Sequence, residues 1–189
     1  LNNRIRSSWE IALEKAEKLG RLSPEEAQKK LEEEFYPRGK ALAEKYLKGL
    51  PRRDLEIELG KFTDEKQKAI VKRGFLATLA GEISLEEAEK SARALEGISL
   101  VGGGSASART AETIAALIHT YQEAKDNLYK SCQQTVSAGV TEQLKQEGIS
   151  GSAIQVNVLA AKEWQDARKQ LFSSYDVDLA SLKKNLPVG

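Results

Sequence analysis

At 189 residues the chain can bury a core without disulfide or metal staples. Its 29 Lys and Arg against 28 Asp and Glu leave a formal charge of +1, which excludes a global field able to gather nucleic acid, anionic membrane or an acidic substrate. Cys132 is the only cysteine and His119 the only histidine, which excludes an intramolecular disulfide, a Cys-x-x-Cys zinc site, the His-Glu-x-x-His helix and the di-iron template built on two Glu-x-x-His motifs.

Apolar spacing predicts helices over about 8–19, 24–48, 54–60, 64–82 and 85–96. Three of their starts carry a Ser three residues before a Glu: Ser7 with Glu10, Ser23 with Glu26, Ser84 with Glu87. This is the capping box, in which the Ser oxygen takes the N3 backbone N–H and the Glu reaches back to the cap. It accounts for the near-repeat of "GRLSPEEAQK" at 20–29 in "GEISLEEAEK" at 81–90, because upstream "ALEKAEKL" and "RGFLATLA" share only a loose apolar pattern. Pro24 suits a first helical position, Pro37 should kink or break the second helix, and Gly20 and Gly97 read as residues just past helix ends. Leu55, Ile57 and Leu59 alternate as in a strand, but nothing offers a second strand, so helix is preferred.

Composition shifts near Gly97. Residues 1–96 carry 20 Lys/Arg and 19 Asp/Glu, which leaves only 9 of each for residues 97–189. The first region reads as short helices with solvated, interleaved charges; the second is rich in small uncharged residues that let helices approach closely. Four segments follow: a charged helical region 1–96, a glycine-rich connector 97–105, a long hairpin 106–175 and a C-terminal tail 176–189. Within the hairpin, Ile114, Ile118, Tyr121, Ala124, Leu128, Cys132, Val136, Val140 and Leu144 step by three or four, predicting one helix over 106–147, roughly 60 Å long at 1.5 Å per residue. "EGISGSA" turns the chain, and helical spacing resumes over 154–174 through Trp164 and Leu171. The fold class is all-α, a charged cluster of short helices followed by a long antiparallel, coiled-coil-like hairpin.

The stretches "SSWEIALEKAEKLGRLSPEE" and "QEGISGSAI" resemble segments of an uncharacterised bacterial helical family, a domain of unknown function. The resemblance implies a helical protein and carries no catalytic residue with it.

The return arm of the hairpin is about half as long as the outgoing one, so the long helix needs further cover from the N-terminal helices or from a second subunit. The reading favoured is a non-enzymatic structural or protein-interaction protein, a homo-oligomer joined through Ile114, Ile118, Tyr121, Leu128, Val136, Val140, Trp164 and Leu171. Two alternatives rest on local features. Lys68 and Lys72, on one helical stripe with Lys61 and with Arg73 adjacent, make a local basic patch of the kind that meets nucleic-acid phosphates. Gly103, Gly104, Ser105, Ser107 and Arg109 resemble an anion-binding helix start, although the Walker Lys-(Ser/Thr) is missing. Glu112, His119, Glu123 and Asp126 share one face of the long helix and would hold a metal only with further ligands; the solvated-face reading is preferred, and no cofactor is expected. Cys132 lies about 20 Å along the helix from His119, too far for a nucleophile and base, and reads as a small buried apolar residue. No apolar run is long enough to cross a membrane, so a cytoplasmic location is expected, with room left for a leader ahead of Leu1.

Overall fold

The computed structural model describes residues 23–149 and 156–187. Every regular element among them is helical: α1 Pro24–Leu47, α2 Arg52–Gly60, α3 Glu65–Gly81, α4 Ala88–Val101, α5 Ser105–Gln146, a 3₁₀ turn Val158–Ala160, and α6 Lys162–Lys183. The expected helix over 8–19, with Ser7, Trp9, Glu10 and Gly20, lies outside the described residues.

The capping box at α1 is complete. Glu26 N–H donates to Ser23 Oγ at 3.1 Å and Ser23 N–H donates to Glu26 Oε2 at 2.8 Å, with Pro24 opening the helix. Pro37 does not break α1 as expected. Both Pro37 and Glu33, whose carbonyl the proline leaves unpaired, face solvent, while Phe35, Gly39, Leu42, Ala43 and Tyr46 on the opposite side are buried. The freed carbonyl lies on the exposed side, open to solvent, and α1 packs on α3 through residues on both sides of the proline. The α1–α3 contact is close: a Cβ on Gly39 would overlap the Val71 carbonyl, and one on Gly74 the Tyr36 carbonyl.

The alternating Leu55, Ile57 and Leu59 form helix α2. Leu55 and Leu59, one turn apart, are buried, whereas Ile57 is 52% exposed. Asp64 caps α3 by accepting the Gln67 N–H at 2.9 Å.

Three sequence expectations are corrected around α4. Ser84 Oγ does accept the Glu87 N–H at 3.2 Å, but Ser84 N–H donates to Ser91 Oγ at 2.8 Å, so Glu87 does not reach back and α4 starts only at Ala88. Gly97 does not follow the helix; it lies inside α4, buried where a Cβ would press on Leu79 and Tyr46. The connector therefore shrinks from 97–105 to Gly102–Gly104, with Gly103 and Gly104 at φ 66 and 84 supplying the left-handed backbone of the bend. Arg93 of α4 closes the end of α1, donating from Nε to the Tyr46 carbonyl at 2.6 Å and from its terminal nitrogen to the Leu50 carbonyl at 3.0 Å.

The long helix is unbroken over its 42 residues, about 63 Å at 1.5 Å per residue. The return differs from expectation. Described residues 156–161 hold only the 3₁₀ turn, and α6 runs on to Lys183 through what the sequence read as a tail. Leu179, Leu182 and Leu186 extend the apolar spacing of Phe172 and Tyr175 into the core, which supplies the reason. One apolar cluster links the six α-helices, from Phe35, Tyr46, Phe75 and Leu79 through Ile98 to Ile114, Ile118, Tyr121, Leu179 and Leu186.

Candidate functional site: an anchored helical arm

The apolar stripe of α5 meets two different environments. Ala111, Ile114, Ile118 and Tyr121 are buried in the common core. Leu128, Cys132, Val136, Val140 and Leu144 are half-buried and stand outside that cluster. Aromatic pairs fix the antiparallel register of the hairpin: Phe172 and Tyr175 meet Tyr121 edge-on at 6.3 and 5.5 Å between centroids, and Trp164 meets Tyr129 at 5.3 Å. Trp164 is buried in the first turn of α6, so that helix ends its cover of α5 near Tyr129. Beyond it the 3₁₀ turn, with Val158 buried, also touches α5. Leu171 is half-buried against the core.

The base of this arm is fixed to the body by polar contacts that converge on the loop ahead of α4. The Glu86 carboxylate accepts from Tyr121 Oη at 2.6 Å, Lys125 Nζ at 2.7 Å and Arg168 at 3.1 Å. Burial pushes the Glu86 carboxyl up, but the hydrogen bonds from Lys125, Tyr121 and Arg168 outweigh it and bring it down to about 2. Burial and the Glu86 charge act together on the Tyr121 hydroxyl and push it up to about 12. Alongside, the Gln122 amide donates to the Leu85 carbonyl, and Lys183 Nζ to the Ile83 carbonyl at 3.0 Å. Burial of Lys183 lowers its pKa. One loop thus receives donors from both helices of the hairpin, so the arm leaves the body from a clamped root.

Sequence reasoning identified Tyr121, Ile114 and Ile118 at this root but missed Glu86, Gln122, Lys125, Arg168 and Lys183. One signal was available: a tyrosine inside an apolar stripe needs a partner for its hydroxyl. The sequence does not say which acid supplies it.

The other predicted residues are scattered. Lys68 and Lys72 line a cleft beside α2, whereas Arg73 turns to Glu32 at 3.0 Å and lies over the Tyr36 ring at 5.7 Å, so the three do not form one patch. In the connector, Ser105 and Arg109 face solvent while Ser107 is only 5% exposed, its hydroxyl sealed without a hydrogen-bond partner near Gly102 and Pro187. His119 Nδ1 lies 3.6 Å from a Glu123 carboxylate oxygen on the outer face of α5, where Glu112 and Asp126 are also exposed. No cluster of three or more metal-ligating side chains occurs among the described residues. Cys132 is a half-buried free thiol. None of the described helices is long and apolar enough to cross a membrane.

The chain belongs to a family of unknown function, DUF6657, whose match covers residues 56–187. That span takes in α3 to α6 with the whole Glu86 clamp and the arm. No curated protein and no solved structure matches the chain.

Proposed function

We propose that this is a non-enzymatic interaction protein that self-associates through the distal part of its long helix. The observation that carries the reading is that core burial along α5 stops at Tyr121 while the helix continues for 25 residues, to Gln146, with apolar side chains still recurring every fourth position. Burying one such side chain fully is worth about 1.5–3 kcal/mol, so covering several offers a real driving force for association.

A second copy of the same chain is the occupant that fits. Residues 131–141, "SCQQTVSAGVT", contain no charged side chain in a protein that is 30% charged. Two such surfaces meet without like-charge repulsion and without stripping water from ions, and Ser131, Ser137, Ala138 and Gly139 let backbones approach closely. A basic or acidic partner would find nothing to pair with on this stretch. The nucleic-acid reading is weaker, because Arg73 is already committed to Glu32.

Light scattering after size exclusion, over a range of concentrations, tests the proposal. The expected result is a dimer or larger species that the double substitution Val136→Glu with Val140→Glu converts to monomer while the far-ultraviolet helical signal is kept. A strict monomer at high micromolar concentration would remove the reading.

A further inference from the structure

A cleft on the opposite part of the chain, between α2, α3 and the end of α4, is independent of the arm. Leu100 and Val101 of α4 give it an apolar floor over the buried Leu55 and Leu59 of α2, and Arg52, Glu56, Lys68 and Lys72 stand around the rim. Its volume is about 220 Å³. That is below the roughly 300–1,000 Å³ of sites for drug-sized ligands.

The rim charges are not balanced from within. Lys68 and Lys72 sit one turn apart on α3, a spacing at which like charges repel. Arg52 is held by Glu56 at 3.0 Å, but Glu65 only approaches Lys68 at 4.0 Å, and among the described residues no ion pair holds Lys72. Both lysines are half-buried and line the cleft, the arrangement in which a lysine packs its stem on apolar surface and keeps its ammonium group hydrated. The neighbouring Arg73 shows the other outcome, a cation neutralised by Glu32.

We infer that this cleft binds a small organic anion with an apolar body, a short-chain monocarboxylate in chemical class. The carboxylate pairs with the Lys68 and Lys72 ammonium groups, and the hydrocarbon covers the part-exposed Leu100 and Val101. An inorganic anion would leave that floor wet. A nucleic-acid backbone would need a longer row of cations than two lysines and a paired arginine provide.

The full-length chain with hexanoate as probe tests this, set against acetate, inorganic phosphate and 1-hexanol. Hexanoate is expected to raise the melting temperature progressively with concentration by mass action, and to shift the amide resonances of Leu59, Lys72 and Val101; the other three compounds are expected to do neither. In K68Q/K72Q the hexanoate effect should vanish while helical content is unchanged. Equal effects from acetate or phosphate would overturn the apolar half of the inference, and equal effects from 1-hexanol the anionic half. No response to hexanoate, or a full response in K68Q/K72Q, would overturn it altogether. Should the double variant fold poorly, the four-compound series on the unaltered protein decides.

Discussion

The two halves of α5 obey the same sequence rule and end in different surroundings. From Ser105 to Tyr121 the stripe is enclosed by α4 and α6, and its last member is bonded to Glu86. From Gln122 to Gln146 the stripe keeps its spacing but leaves the core. Amphipathic periodicity therefore marks which face of a helix seeks cover, while the layout of the other elements decides how far along the helix that cover reaches.

Truncating the stripe in each half should separate the two environments most clearly. Tyr121→Ala removes a fully buried ring that touches Phe172 and Tyr175 and frees the Glu86 carboxylate of one donor. Its expected cost is about 3–5 kcal/mol in urea unfolding. Val136→Ala in dilute protein should cost less than about 1 kcal/mol, the range of substitutions away from a packed core. Similar losses at the two positions would erase the distinction between root and arm.

The clamp gives the root a pH signature. Folding depresses the Glu86 carboxyl from 4.5 to about 2. Its contribution is thus complete above about pH 4.5 and is lost as the pH falls toward 2. Because the carboxylate is about a third exposed, solvent screens the pair, and about 1–2 kcal/mol is expected from it. Glu86→Gln should lower stability by that amount at pH 7 and flatten the acid side of a stability–pH curve between pH 5 and 2. An unchanged curve would show that Glu86 does not hold the hairpin to the body.

The smallest expected effect is a gain in the arm. A Cβ on Gly139 meets nothing within 4 Å, so Gly139→Ala should stabilise the helix by up to about 1 kcal/mol, measured by thermal melting of dilute protein. At concentrations where the chain self-associates, the same methyl group should weaken association by keeping the second backbone further away. A gain in melting temperature with no loss of association would place the contact on another face of the arm.

Much of the architecture could be read from the residues alone. Ser23, Pro24 and Glu26 announced the start of α1, the spacing from Ile114 to Leu144 announced a single rod, and the Gly103–Gly104 pair announced the bend before it, because caps, periodicity and left-handed turns are settled by neighbours within a few positions. Other features were settled at long range. Gly97 looked like a helix end and is instead a contact point under Tyr46 and Leu79, while Pro37, expected to kink or break the helix, lies inside an unbroken α1 packed on α3. Lys72 and Arg73 are adjacent in the chain, yet one rims a cleft and the other meets Glu32. Glu86 finds its donors 35, 39 and 82 residues away. The sequence by itself determined that the elements are helices, where the capped start of α1 lies and which face of each helix is apolar, since those depend on local backbone hydrogen bonds and a 3.6-residue repeat. Only the tertiary structure decided which apolar positions are covered and which charges meet, because burial and ion pairing depend on the spatial arrangement of elements far apart in the chain.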